Sequence, residues 1–350
     1  NSGFVIIFDD EYKYDVSGLT FNDNNGGIKI SEGVKYANVE SCTFLDCTKT
    51  AGGEISVVVL NNKNCRFVNN EVKFSSDKDP TTSICGLFIQ HHGNIDVLFN
   101  HFYRIKNTIR GGLTIEDREE DDEEGIVSIN YNTIEDCCDS QMGTFSINKK
   151  YDFNFDHNTI KNCIIKGYSC QIVLSNNVKY SNEYTLTNLT LIGCESNSKT
   201  GGGLGIWLLF NETGTASNGY IVKYGKFTLQ DCLFENNYAG YKNSETAGKV
   251  GGSGGGFQCG NSSNAWTDIT IINCTFRDNR GELYGGALDI SSSEYVIIEN
   301  NTFINNSSKL GGGAIHIVPH AYKHYDYMEE DLLYTLPQMK ECTISNCTFI

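Results

Sequence analysis

The chain has 350 residues, 39% hydrophobic and 20% charged, with a formal net charge of −16 at pH 7. That balance supplies a sizeable core, and the acidic excess without any basic stripe argues against nucleic acid or anionic lipid as partners. No run approaches the roughly 18 apolar residues of a membrane-spanning helix, and 38 Asn and 36 Gly against 3 Pro favour strands joined by tight turns. Asn1-Ser2-Gly3-Phe4 has neither a basic segment nor a cleavage site. The expectation is a chain whose leader has been removed, or an internal piece of something longer.

In chain order, an apolar pair two residues apart recurs ten times: Ile28/Ile30, Ile55/Val57, Leu87/Ile89, Leu113/Ile115, Phe145/Ile147, Ile172/Leu174, Leu204/Ile206, Phe257/Cys259, Leu288/Ile290 and Ile315/Ile317. Its signature is two glycines, a small residue and an alternating apolar pair, clearest at Gly285-Gly286-Ala287-Leu288-Asp289-Ile290 and Gly312-Gly313-Ala314-Ile315-His316-Ile317. A second signature alternates with it, as in Cys274-Thr275-Phe276-Arg277-Asp278-Asn279. Its apolar position falls at Phe21, Phe44, Phe67, Phe102, Ile134, Ile160, Leu191, Phe234, Phe276, Phe303 and Phe349. A third apolar pair precedes most of these, as at Ile95/Val97, Val127/Ile129, Phe153/Phe155, Tyr184/Leu186, Phe227/Leu229, Ile269/Ile271 and Val296/Ile298.

Each repeat therefore predicts three short strands of period two. The minimal unit, 23 residues from Phe21 to Phe44 and again to Phe67, cannot bury its own apolar face and must stack on its neighbours. The expected fold is all-β, a right-handed parallel β-helix of ten to eleven coils. At about 4.8 Å per coil, ten coils make a rod of roughly 50 Å. With no linker or break in composition, residues 1–350 read as a single domain with loop insertions near 116–125, 238–253 and 318–341. The final Asn346-Cys347-Thr348-Phe349-Ile350 is half a repeat without a polar cap, which again suggests a piece of a longer solenoid.

These alternating Gly-Gly-Ala-Ile and Phe-x-x-Asn motifs resemble the polymorphic membrane protein repeats of chlamydial autotransporter adhesins, and related surface repeat proteins of protists such as trichomonads. The resemblance covers essentially the whole chain, with departures where Glu54 replaces the small residue and Ser169-Cys170 replaces the glycine pair. It implies display outside the cell and names no ligand. The partners it points to are other copies or further coils of the same solenoid, and a protein or glycan on a host or neighbouring cell.

The fourteen cysteines invite a disulfide or metal reading. Cys42, Cys65, Cys232, Cys274 and Cys347 take the first slot of the Phe motif, and Cys47, Cys137, Cys163 and Cys194 its last. Asn fills both slots elsewhere, so they read as stacked ladder positions beside Phe44, Phe67, Phe276 and Phe303, with Cys as a small apolar filler. Cys42–Cys65 and Cys137–Cys163, on neighbouring coils, are the candidate disulfides. Without paired Cys-x-x-Cys elements a zinc site is not expected. His316, His320 and His324 are interrupted by Pro319, and with His91-His92 they read as loop residues. The acidic run Glu116–Glu124 lacks the spacing of a calcium loop.

Polysaccharide lyases and hydrolases need carboxylates clustered on an outer wall. The expected outward column of the Gly-Gly strand is Lys29, Ser56, Phe88, Thr114, Ser146, Val173, Gly205, Gln258, Asp289 and His316. That of the Phe strand is Thr43, Arg66, His101, Thr133, Thr159, Thr190, Leu233, Thr275, Thr302 and Thr348. Asp289 beside His316 is the closest approach to an acid–base pair. No catalytic residue, metal or cofactor is assigned from sequence. Asn188, Asn211, Asn261, Asn273, Asn300, Asn305, Asn306 and Asn346 each begin an Asn-x-Ser/Thr triplet and are candidate glycosylation sites. The expected role is a non-catalytic structural or adhesive protein at the cell surface. The alternatives are a polysaccharide-active enzyme and a carbohydrate-binding module using exposed aromatics such as Phe88 or Trp207.

Overall fold

The computed structural model describes residues 6–8, 12–22, 28–30, 34–45, 55–60, 64–73, 85–91, 94–107, 113–117, 125–139, 145–149, 152–165, 171–176, 183–196, 202–206, 223–240, 252–259, 265–291, 293–318 and 339–350. Among these residues the structure is all-β, with parallel sheets and no helix. The chain falls into two compact units, Asn1–Ile172 and Val173–Ile350.

In the first unit every repeat gives one strand to each of three sheets, in a fixed cyclic order. The first sheet runs Ile6–Phe8, Ile28–Ile30, Ile55–Leu60, Cys85–His91, Leu113–Asp117 and Phe145–Lys149. The second runs Lys13–Ser17, Tyr36–Glu40, Asn64–Val68, Asn94–Leu98, Ile126–Asn130 and Asp152–Asp156. The third runs Thr20–Asn22, Thr43–Leu45, Glu71–Lys73, His101–Tyr103, Thr133–Glu135 and Thr159–Lys161. The second unit repeats the pattern, for example in Thr190–Ile192, Leu233–Glu235, Thr275–Arg277, Thr302–Ile304 and Thr348–Phe349 of its third sheet. From Lys106 onward, repeats add a two-residue strand that the sequence did not predict: Lys106–Asn107, Cys138–Asp139 and Ile164–Ile165 in the first unit, and Glu195–Ser196, Tyr238–Ala239, Arg280–Gly281 and Ser307–Ser308 in the second. These minor strands lack an alternating apolar pair, so nothing in the hydrophobic pattern marks them.

Alternation drives this arrangement. Ile95 and Val97 point inward with Val127 and Ile129 of the next strand, all buried, while Asp96 and Ser128 point out. Phenylalanines stack along the interior, with centroids 4.8 Å apart for Phe21–Phe44, 4.9 Å for Phe234–Phe276 and 5.2 Å for Phe276–Phe303.

Between the second and third sheets the backbone turns through one residue with positive φ, followed by a buried ladder residue. In the first unit the ladder is Cys42, Asn70, Asn100, Asn132 and Asn158. The Asn132 Oδ1 accepts from the Asn100 backbone N–H at 3.0 Å and its side-chain Nδ2 at 2.9 Å, while Asn132 Nδ2 donates to the Val97 carbonyl at 2.8 Å and to Asn158 Oδ1 at 3.0 Å. The ladder thus satisfies corner groups that water cannot reach. Cysteine serves in the same slot: Cys42 Sγ donates to the Glu40 carbonyl at 3.4 Å, and its N–H donates to Asn70 Oδ1 at 2.9 Å.

The observed register corrects several predicted positions. Cys65 and Phe67 do not occupy the ladder and third-sheet slots of Cys42 and Phe44. They lie in the second sheet, where Phe67 pairs with Val39 and Val97; the ladder residue is Asn70 and the third-sheet residue is Val72. Phe67 imitates the spacing of the motif, and its ring still sits between Phe44 and Phe102 at 6.2 and 6.4 Å. The stack survives although this ring enters from another sheet. Accordingly Glu71, not Arg66, stands in the outward column beside Thr43 and His101, and Arg66 faces Asp96. The first-sheet partners of Ile28 and Ile30 are Val57 and Val59, two residues later than the predicted Ile55/Val57, so Val58 rather than Ser56 is the register partner of Lys29. A slip of two preserves the inward face, which is why alternation alone cannot detect it.

Candidate functional site

The described residues form a cavity of about 610 Å³ against the minor strands of the second unit, lined in part by Asn236, Tyr238, Asp278, Arg280, Glu282 and Lys309. Its position follows from the repeat. Tyr238, Arg280 and Ser307 are register partners, and Glu282 and Lys309 lie two residues beyond Arg280 and Ser307. The Glu282 side chain is only 3% exposed. It accepts from the Tyr238 hydroxyl and from the Lys309 ammonium, and Arg280 Nη2 lies 3.5 Å away. Glu282 can lie this close because residue 240 is glycine: at φ +141° its missing Cβ leaves room for the Glu282 Cβ and Cγ.

Burial pushes the Glu282 carboxyl up, but hydrogen bonds from Lys309 and Tyr238 and the charge of Arg280 outweigh it and hold the group below its ordinary range. Burial, then the bond to Glu282, push the Tyr238 hydroxyl well above its ordinary value. Both shifts favour the phenol form of Tyr238 and the carboxylate form of Glu282. None of these residues was singled out from the sequence. The signal was available in the minor strands: Glu282 and Lys309 each stand in the short segment between an inward Asn and a glycine pair, in Asn279-Arg280-Gly281-Glu282-Leu283-Tyr284-Gly285-Gly286 and Asn306-Ser307-Ser308-Lys309-Leu310-Gly311-Gly312-Gly313.

Asp289 and His316 do meet. His316 Nδ1 lies 2.6 Å from Asp289 Oδ1, the Tyr284 ring stacks on the imidazole at 4.4 Å, and Gln258 Nε2 donates to Asp289 Oδ2 at 3.2 Å. Asp289 is 1% exposed and Thr114 is fully buried, so this column is not the open wall expected from alternation. His320, His324, the acidic run 118–124, Trp207 and Cys47 lie outside the described residues.

The described cysteines are free thiols. A second inward ladder stands at the corner before the minor strands, where Cys137 and Cys163 are neighbours, and burial followed by the Cys163 thiol raises the Cys137 thiol. Cys65 and Cys42 lie in different slots, and burial pushes Cys65 up to about 12. Cys232 and Cys274 are adjacent in the first ladder, where the Cys232 N–H points to Cys274 Sγ at 3.4 Å, and Cys347 donates to the Ile298 carbonyl at 3.6 Å.

The triplets beginning at Asn188, Asn273, Asn300 and Asn346 share one geometry: a positive-φ corner asparagine, an inward ladder residue and an outward threonine. Asn305 is a corner residue of the minor strands, Asn306 is a ladder residue, and Asn211 and Asn261 lie outside the described residues. No helix among the described residues is long and apolar enough to cross a membrane. Comparison with known proteins finds no matching family model, no similar curated protein and no similar solved structure.

Proposed function

We propose that the repeats wind as a right-handed parallel β-helix, and that the chain is a non-catalytic extracellular scaffold that holds variable loops for adhesion or assembly. The observation that carries this reading is the cyclic strand order, with every repeat in parallel register while the sequence between strands varies widely in length. Right-handedness follows from the chirality of parallel crossovers. A stacked scaffold keeps loops in fixed positions, so their chemistry can vary without cost to the core. Partners are other copies of the solenoid, or a protein or glycan on a neighbouring cell.

A carbohydrate-active role is the second reading, favoured by the polar cavity around Glu282. One comparison separates the two. Beads coated with the purified chain are expected to attach to cells, and replacing residues 320–337 with a short Gly-Ser linker, which leaves the Lys340–Glu294 ion pair and the strand Glu341–Ser345 intact, is expected to reduce attachment without changing the melting temperature. Release of reducing ends from a panel of polysaccharides, abolished by Glu282→Gln, would contradict the scaffold reading and establish the enzyme.

A further inference from the structure

The Asn-x-Ser/Thr triplets are not equivalent once placed in the fold. Left-handed backbone favours asparagine, the ladder takes Asn or Cys, and the outer wall takes threonine. The repeat therefore writes such triplets for structural reasons, and a triplet alone says nothing about a glycan. The side-chain amides distinguish them. Asn306 Nδ2 is spent inside the ladder on the Phe276 carbonyl at 2.9 Å, and its Oδ1 accepts from Asn279. By contrast Asn273, Asn300 and Asn346 are exposed and have no side-chain hydrogen bond among the described residues. The three lie on successive rungs: the Asn273 N–H donates to the Glu299 carbonyl and the Asn300 N–H to the Ser345 carbonyl, each at 3.1 Å. Neighbouring corners are thus about one strand spacing, ~4.8 Å, apart. A branched oligosaccharide is far wider than that.

We propose that the corner column Asn273, Asn300 and Asn346 is an N-glycan acceptor, filled at non-adjacent rungs only. The amide nitrogen of an acceptor asparagine attacks the anomeric carbon of a lipid-pyrophosphate-linked oligosaccharide. The N–C bond forms as the C–O bond to pyrophosphate breaks; the lipid pyrophosphate leaves, and the transferase takes the amide proton. Asn300 carrying a glycan blocks Asn273 and Asn346, whereas those two can be filled together. This inference rests on the extracellular reading, because the donor and transferase act in the secretory route.

The test is to secrete the full chain from a eukaryotic host, isolate folded protein, and release glycans with an amidase in heavy-oxygen water, which marks each former acceptor as labelled Asp. The expected result is label in the column, none at Asn306, and a several-fold rise at Asn273 and Asn346 when Asn300→Gln removes the central site. Label at Asn306, full label at both Asn273 and Asn300, or an unlabelled column would overturn the proposal. The same mapping on protein from its own cells separates the two ideas: labelled secreted protein beside unlabelled native protein leaves the acceptor column standing and refutes the extracellular placement.

Discussion

A single ladder asparagine shows how much one residue holds. Replacing Asn132 with Ala would leave the Asn100 N–H without its acceptor and the Val97 carbonyl without its donor, both buried. At about 1–3 kcal/mol per buried unsatisfied group, Asn132→Ala is expected to cost roughly 2–4 kcal/mol in urea denaturation, while outward Thr133→Ala costs under about 1 kcal/mol. Equal losses would show that the ladder is not what holds the corner. Glu282 gives a pH signature. Its folded carboxyl lies below the ordinary 4.5, so its stabilisation is present above the unfolded value and is lost as pH falls through the folded one. Glu282→Gln should therefore destabilise the chain at pH 7, with the gap to the parent closing below about pH 4; a gap constant with pH contradicts the ion cluster. Thiol reactivity is the third check. Burial pushes Cys65 and Cys259 up to about 12, so both should resist alkylation at pH 8 until the chain is denatured, with half-buried Cys138 reacting before either.

At the scale of elements, period-two alternation made the three main strands legible, because inward Ile95/Val97, Val127/Ile129 and Phe227/Leu229 each need a buried partner on the next rung. Register was less legible. Phe67 sits at the motif's spacing while Val72 does the pairing, and nothing in hydrophobicity separates a ring entering from the second sheet from one entering from the third. The site was the least legible part. Tyr238, Glu282 and Lys309 meet through two-residue strands without an apolar signature, and only the register of those strands brings them together. The glycine corners of the last repeats carry their own prediction. A Cβ at Gly286 would run into the backbone of Gly313 and Ser307, whereas at Gly311 it would meet only the Tyr284 ring at 3.6 Å. Gly286→Ala is expected to cost at least about 2 kcal/mol and Gly311→Ala under about 1 kcal/mol, read by chemical denaturation. The corner Phe99, Tyr131 and His157 also stand out. They are exposed on successive rungs of one column, stacked at 4.9 and 4.7 Å, at positive φ where Asn or Asp is usual. Stacking worth about 0.5–1.5 kcal/mol per pair offsets backbone strain of similar size.

For the whole molecule, a net charge of −16 keeps copies apart in dilute solution and makes any assembly between acidic surfaces dependent on salt. Contacts in both units run almost entirely between neighbouring strands, so stability is local and additive along each unit. Loops can therefore change without unfolding the strands that hold them, which is the property a display scaffold requires. The most direct test is immunogold electron microscopy on intact, unpermeabilised cells that make the protein, with an antibody raised against the acidic segment around Asp121. Gold along a surface coat or filaments is the predicted result. Gold confined to the cell interior after permeabilisation, or to digestive vesicles, would contradict it.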